Sequence, residues 1–151
     1  MMHTLNNNRF TQIFYDPVEK LIKQTWKFNA HKNQLHFFGN LSEALDAMYT
    51  YNPQRLLIDF NNFTYSLDQD GRSWVINNFF TQLFPLTVDK IALVKSKDTT
   101  TQHSLELILD HSKLKDFNIH FFDQENQAYV WFKKKTNTPT HLSIESRLKA
   151  S

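Results

Sequence analysis

The chain has 151 residues, of which 40% are hydrophobic and 21% charged, with a formal net charge of +2. This length predicts one domain with a sizeable buried core. The small net charge and the scattered basic residues argue against a nucleic-acid-binding surface, because such surfaces cluster Lys and Arg. Cysteine is absent, which excludes disulfides, thiol nucleophiles and cysteine-ligated metal sites.

No stretch of the sequence predicts export or membrane insertion. The first ten residues, MMHTLNNNRF, contain no apolar segment typical of a signal peptide. No run approaches the roughly 18 apolar residues that a membrane-spanning helix needs. We therefore expect a cytoplasmic protein that does not span a membrane.

The N-terminal part of the chain is predicted to form a tail and a hairpin. Residues 1–8 are polar and Asn-rich, which is typical of a flexible tail. The segments TQIFYD (11–16) and LIKQTWKF (21–28) alternate as strands do, and Pro17 favours a turn between them. We expect these two strands to pair antiparallel.

A helix is predicted after the hairpin. Asn40 followed by Glu43 resembles a capping box, and apolar residues then recur at helical spacing. The pair Asn52-Pro53 ends the helix, since a residue before proline disfavours helical backbone. The segment NQLHFF (33–38) could be an earlier part of the same helix across Gly39, or could lie outside it.

The rest of the chain alternates strands and helices, which implies a layered α/β domain over residues 9–134 with a mixed, mostly parallel sheet. With the N-terminal hairpin, we expect about five strands and about four helices. The polar residues 135–151 predict a C-terminal tail. The predicted elements are a strand RLLIDF (55–60), a helix from Ser66 to Phe84, a strand KIALV (90–94), a helix TTTQHSLELILDH (99–111), a strand FNIHFF (117–122) and a helix QENQAYVWFKK (124–134).

Motifs for catalysis or cofactor binding are missing. With two glycines the chain has neither GxGxxG nor a P-loop, and it has no GxSxG elbow. Its seven histidines form neither HExxH nor an i, i+4 pair. A Ser–His–Asp set could be assembled from Ser96, His103 and Asp123, but their spacing does not require it. We therefore expect no catalytic residues, no metal and no cofactor.

Polar residues follow the buried strands at their carboxyl ends. Asp59 closes the strand 55–60, and open α/β sheets place their ligand crevice outside this edge. We expect the loops after neighbouring strands to approach the same rim. The residues placed there are Asn61, Asn62, Asp70, Lys95, Ser96, Lys97 and Asp123.

The segment SLDQDG (66–71) has a structural and a functional interpretation. Ser66 and Gln69 fit the S-x-x-Q capping box, and Asp68 and Asp70 would favour the positive end of the helix dipole. The functional alternatives are phosphorylation of Ser66 and an acid or cation-binding role for the aspartates. The structural interpretation is the simpler one. The two are compatible at Ser66, because a phosphate is also favoured at a helix N-terminus.

The order of these segments resembles a known family. The runs RLLIDFNNFTYSLDQDGRSWVINNFF, KIALV and FNIHFFDQENQAYVWF resemble the SpoIIAA-like branch of the STAS domains, which is akin to the lipid-binding SEC14-type fold. The resemblance covers roughly residues 9–134. It rests on a strand ending in Asp, a helix carrying Trp, an IA-V strand and a final FF-D…A--WF pattern. It implies a small regulatory domain that is not an enzyme.

The resemblance also implies where a switch would lie. In the anti-sigma antagonists of this family the loop reads D-S-S-G, and a partner kinase phosphorylates the serine before the glycine. With one residue inserted in the loop, the matching residues are Asp68, Gln69, Asp70 and Gly71. Without the insertion, the phosphorylated position falls on Gln69. The acceptor serine is missing in both alignments, so we expect a recognition surface without this switch.

Two functions remain open at this point. The first is a regulatory or interaction domain that contacts an unidentified protein partner through loop 61–70, the start of the next helix and loop 95–99. The alternative is a carrier of a lipid or another apolar small molecule, suggested by the aromatic residues and by the SEC14-like relationship. The residues of that candidate pocket are Trp74, Ile76, Phe79, Phe80 and Phe84.

Overall fold

Strand order in the sheet follows chain order. The structure, a computed structural model, describes residues 2–27 and 33–134. The predicted C-terminal tail at 135–151 lies outside the described residues. The strands are β1 (His3–Asn7), β2 (Thr11–Asp16), β3 (Leu21–Trp26), β4 (Arg55–Asp59), β5 (Lys90–Val94) and β6 (Ile119–Phe122), and the helices are α1 (Gln34–Tyr51), α2 (Gln69–Val75), α3 (Thr99–Leu109) and α4 (Glu125–Lys133).

These elements confirm the predicted layered α/β fold. The sheet has six strands in the order β1-β2-β3-β4-β5-β6. The pairs β1–β2 and β2–β3 are antiparallel, and the pairs from β3 to β6 are parallel. Parallel crossovers are right-handed and the strand order never reverses, so α1, α2 and α3 lie on one face. Helix α4 packs on the opposite face, against β4, β5 and β6.

The N-terminal residues form a strand, which corrects the expectation of a flexible tail at 1–8. Strand β1 pairs along β2, with a β-bulge between Thr4 and Asn6. The Asn8 side chain turns the chain into β2, because it accepts the backbone N–H of Phe10 at 2.8 Å and of Thr11 at 2.9 Å. A polar strand at a sheet edge carries little alternating apolar signal, so its pairing depends on the neighbour that β2 supplies.

Helix α1 begins earlier than the proposed capping box. Its N-cap is Asn33, whose side chain accepts the backbone N–H of Leu35 at 2.8 Å. Asn40 is buried inside the helix and accepts the Thr11 hydroxyl at 3.0 Å, so the predicted cap at Asn40 is wrong. Gly39 lies within the helix. The predicted end is correct, since Asn52 is the C-cap with a left-handed φ of 43°.

The predicted helix from Ser66 to Phe84 is shorter and contains three helical forms. Helix α2 is followed by a π-helical turn, Ile76–Phe80, and a 3₁₀ turn, Thr81–Leu83. The N-cap is Asp68, which accepts the Gly71 N–H at 2.7 Å, so the predicted cap at Ser66 is wrong. Leu67 is buried and donates its N–H to the Ser104 hydroxyl at 3.2 Å. Because Leu67 is tied to this extended position, the helix begins only after it.

Both faces of the sheet are buried, and strand alternation divides the side chains between them. Leu56 and Ile58 point into the core beneath α1, α2 and α3, which includes the ring cluster of Trp26, Phe37 and Phe63. A smaller core lies beneath α4. None of the helices in the described part of the chain is long and apolar enough to cross a membrane. The smaller core consists of Leu21, Leu57, Ala92, Val94, Ala128 and Phe132.

Candidate functional site at the carboxyl edge of the sheet

The loops that follow β4 and β5 are bonded to each other, as the rim prediction requires. Asn61 accepts the Lys97 N–H at 3.1 Å and donates its side-chain amide to the Lys95 carbonyl at 3.4 Å. The Ser96 hydroxyl donates to the Phe63 carbonyl at 2.6 Å. Since the strand order does not reverse here, no switch-point crevice opens at this edge. These contacts close the rim rather than leave a ligand site.

The charged rim residues form exposed contacts. Lys97 reaches the Asn62 side chain at 3.4 Å, and Lys95 pairs with Asp123 at 3.4 Å. Exposed ion pairs of this kind contribute little, about 0–1 kcal/mol. Buried Ser96 is committed to its structural bonds, because its backbone N–H also donates to the Gln102 side chain at 2.9 Å. Its hydroxyl proton is therefore directed to a carbonyl and not to a histidine.

Loop 64–70, which runs into the first turn of α2, is held by hydrogen bonds at Asp68 and carries several exposed side chains. Asp68 accepts the Gly71 N–H at 2.7 Å and the Gln34 side-chain amide at 3.3 Å, which ties the loop to α1. Gly71 is buried, and a Cβ there would meet the Leu67 side chain at 3.2 Å. Asp70, Ser66 and Gln69 are exposed. Asp70 therefore lies in the first turn of α2, beside α1, and not in the bonded rim of 61–63 and 95–97.

An apolar patch borders the two aspartates. Trp74 on α2 stacks on Phe38 of α1, with ring centroids 4.0 Å apart, and both rings are half-buried. Leu35, one turn earlier on α1, is 73% exposed. We call loop 64–70 together with Leu35, Phe38 and Trp74 the contact surface. It combines exposed acidic side chains, the exposed Leu35 and two half-buried rings on α1 and α2.

The residues of the candidate apolar pocket do not surround one open space. Ile76, Phe79 and Phe80 are buried in the main core. The cavity that Phe79 and Phe80 line holds about 10 Å³, which is room for about one water molecule. Trp74 belongs to the contact surface. Phe84 is 49% exposed and packs on Phe117 at 4.4 Å between ring centroids.

An acidic cluster that the sequence did not predict lies beneath α4. The side chain of Asp59 is hydrogen-bonded to that of Glu125 in the first turn of α4. Glu125 also pairs with Lys23 of β3 at 2.7 Å. The Asn61 N–H donates to Asp59 Oδ1 at 2.9 Å. Asp59 is 9% exposed and the Glu125 side chain is 29% exposed, so α4 and the sheet partly cover a carboxyl pair with one lysine beside it.

The environment separates the pKa values of the two carboxyl groups. Burial and the hydrogen bond to Glu125 raise the pKa of Asp59 to about 7. Although burial opposes it, the hydrogen bonds from Asp59 and Lys23 hold the pKa of Glu125 below its ordinary value. Burial and the charge of Glu125 raise the pKa of Tyr129 to about 12. At neutral pH Glu125 carries the negative charge, and Tyr129 is neutral.

The signal for this cluster was strand alternation combined with helix placement. Asp59 lies two residues after Leu57 and therefore on the same face as Leu57, which α4 covers. The sequence places Glu125 in the first turn of the last helix but does not tell which face of the sheet that helix covers. Within the described residues, no three acidic or histidine side chains are grouped as a metal site requires.

Comparison with known proteins supports the fold. The sequence matches no family model and no curated protein. The structure resembles the NMR structure of the protein TM1081 with a TM-score of 0.53, covering 89% of this chain and 97% of that chain. Sequence identity is 15%, so the similarity shows a shared fold and nothing about activity.

Proposed function

We propose that this chain is a non-enzymatic regulatory domain of the SpoIIAA-like type, which binds a protein partner through the contact surface. The observation that carries the proposal is the partly exposed apolar patch of Leu35, Phe38 and Trp74 next to two exposed aspartates. Aromatic side chains are enriched in protein interfaces, and charges around them give the partner its orientation. The surface fits a partner that presents basic side chains around an apolar group.

The contact surface is preorganised, which lowers the entropic cost of binding. Asp68 is bonded to both Gly71 and Gln34, and Arg72 donates to the Leu67 carbonyl at 2.8 Å. The bond from Gln34 joins α1 to the start of α2, and the other two bonds hold residues 67–72 in place before a partner arrives. Binding then orders few additional groups, and a rigid surface gains affinity mainly through this saving.

The proposed interaction is not regulated by phosphorylation at the position used in the related domains. Asp70 or Gln69 occupies that position, depending on the alignment, and neither side chain accepts a phosphate as serine does. In the alignment with one inserted residue, Asp70 supplies a negative charge where the related domains acquire one only on phosphorylation. The domain would therefore present its charged surface to the partner at all times.

Charge reversal at Asp70 tests this proposal. Tagged wild-type protein is used to capture partners from the source cells, and a captured partner is purified for affinity measurement. We expect Asp70→Arg to weaken binding at least tenfold and to leave the thermal midpoint nearly unchanged, because Asp70 is exposed. Asp116→Arg is the matched control, since it makes the same charge change at an exposed residue outside the contact surface. Equal binding by both variants, or the absence of any partner, would contradict the proposal.

The carrier remains the alternative function, and it would require the main core to open. Ligand pockets usually measure about 300–1,000 Å³, whereas the cavity beside Phe79 and Phe80 holds about 10 Å³. Native mass spectrometry of the protein purified from its source cells separates the two functions. A retained apolar ligand supports the carrier, and an empty protein supports the interaction domain.

A further inference from the structure

We propose that Asp59 and Glu125 form a proton-sharing carboxyl pair that holds the N-terminal end of α4 on the sheet, and that loss of the shared proton loosens α4 as the pH rises. This device lies on the face of the sheet opposite α1, α2 and α3. It is independent of the partner proposed above.

The hydrogen bond between the two carboxyl groups requires a proton on one of them. Two carboxylates have only acceptor oxygens, so a hydrogen bond between Asp59 and Glu125 needs one of them protonated. Glu125 is paired with Lys23 at 2.7 Å, which identifies Glu125 as the ionised partner. Asp59 Oδ1 accepts the Asn61 N–H at 2.9 Å, which leaves its other oxygen to carry the proton. Asp59 is therefore the donor.

The surrounding charges favour this assignment. Tyr129, one turn along α4 from Glu125, lies in the field of Glu125 and of Asp16 and Glu19 on the β2–β3 hairpin. The charge of Glu125 makes a second carboxylate at Asp59 unfavourable, because like charges disfavour ionisation, while the Lys23 ammonium acts in the opposite direction. Lys23 faces the pair from β3 and is already paired with Glu125.

Other groups hold the rest of α4 in place. Ala128 and Phe132 are buried in the smaller core. The Lys90 ammonium donates to the Trp131 carbonyl at 2.8 Å and also to the Lys134 carbonyl, at the C-terminal end of the helix. His120 of β6 packs on Trp131 at 5.0 Å. Loss of the carboxyl proton therefore acts on the N-terminal turns, while the C-terminal end keeps its own contacts.

The sign of the pH effect follows from proton linkage. The docked helix keeps a proton on Asp59, whose pKa burial raises to about 7. When the helix detaches, Asp59 is hydrated and its pKa returns to about 4. The docked state therefore binds more protons, and its stability falls as the pH rises through 7. Between pH 6 and pH 8 the opening equilibrium increases about tenfold. Glu125 is ionised in both states across this range and adds no slope.

Hydrogen exchange of the α4 backbone amides tests the proposal. Protection factors, corrected for intrinsic exchange, are measured at pH 6 and pH 8 for the wild type and for Asp59→Asn. The asparagine amide donates to Glu125 without titrating. We expect a tenfold fall in the protection of α4 in the wild type, no fall in Asp59→Asn, and no change in α3. Both proteins carry His120→Gln, so that the His120 ring, which packs on Trp131 of α4, does not contribute to the comparison.

A second measurement keeps the test decisive if Asp59→Asn fails to fold. The carboxyl carbon of Asp59 is followed by NMR in the unsubstituted protein between pH 3 and pH 9. A midpoint near 7 supports the proton-sharing pair, and a midpoint near 4 overturns it. The proposal is also overturned if the protection of α4 falls equally in the wild type and in Asp59→Asn.

Discussion

At the scale of single residues, Asp59 shows how a buried acid is accommodated. An ionised carboxylate without a partner is costly in this environment, so the side chain keeps its proton up to a pH of about 7. The Glu125 carboxylate accepts the hydrogen bond from Asp59, and Lys23 at 2.7 Å balances its charge. The cost of burial is therefore met by a hydrogen bond and a neighbouring ion pair.

The start of α2 also depends on one residue. Asp68→Ala removes the bond to the Gly71 N–H at 2.7 Å, and we expect a loss of about 1 kcal/mol in the free energy of unfolding. Ser66→Ala is the matched control, because Ser66 is exposed ahead of the helix. Its effect should stay within about 0.5 kcal/mol. Urea denaturation measures both. A larger loss at Ser66 than at Asp68 would restore Ser66 as the cap.

The cap illustrates why sequence patterns leave such sites ambiguous. Ser66 and Asp68 both precede a helical run, and both side chains are good N-caps. The choice depends on Leu67, which is buried and bonded to Ser104 on α3. Ser104 is 37 residues away in the chain. A local pattern contains no information about that contact.

At the scale of elements, the segment after Asp68 keeps a helical apolar pattern through a change of helix type. Val75, Ile76, Phe79, Phe80 and Leu83 are all buried. The backbone nevertheless passes through a π turn, in which the Thr81 N–H donates to the Ile76 carbonyl. The apolar spacing located the segment correctly, but hydrogen-bond type along it is decided by packing. No pattern in the sequence marks the position of the π turn.

Helix α1 contains a glycine whose replacement should stabilise the protein. Gly39 is exposed within the helix, and a Cβ there would meet no atom within 4 Å. We expect Gly39→Ala to stabilise the protein by about 0.5–1 kcal/mol, because alanine loses less backbone entropy in a helix. Thermal denaturation measures this gain.

Gly71 is the contrasting position for the same substitution. An added Cβ would lie 3.2 Å from the Leu67 side chain and 3.3 Å from Asp68 Oδ1, which is also the capping atom. We expect Gly71→Ala to be neutral or destabilising. For the first substitution, a lower thermal midpoint in Gly39→Ala than in the wild type would show that residues 34–38 are not part of a continuous helix.

At the scale of the whole molecule, strand order determines where chemistry can occur. Three helices occupy one face and α4 occupies the other, and the order of parallel strands never reverses. The crevice that the sequence placed beyond Asp59 therefore does not form. The candidate sites are instead the contact surface on α1 and α2, and the partly buried carboxyl pair beneath α4.

The edge strand β1 protects the sheet. Deleting residues 2–7 exposes Ile13 and the half-buried Tyr15, so we expect a loss of about 2 kcal/mol. The deletion also turns the longer β2 into an edge without a bulge, which favours association between copies. Calorimetry and light scattering measure the two effects. Removing only residues 1 and 2 is the control. If the protein lacking residues 2–7 stays monomeric with an unchanged thermal midpoint, β1 contributes neither to stability nor to protection of the sheet edge.

Local sequence patterns are enough to locate several of the strands and helices. The apolar runs of β4 and β5 predict buried strands, and the spacing in α3 and α4 predicts helices, because alternation and helical periodicity are properties of adjacent residues. Alternating strands and helices then imply the layered sheet. Composition also excluded disulfides and cysteine sites.

Other features depend on contacts between segments that are distant in the chain, and only the folded structure shows them. Strand β1 exists because β2 offers an edge, and α2 begins at Asp68 because Leu67 is held in the core. Asp59 became a proton-sharing acid only when α4 folded back over the opposite face and brought Glu125 to it. The physical reason is the same in each case: burial and hydrogen bonding between distant segments set the energies, and these contacts exist only once the sheet has formed.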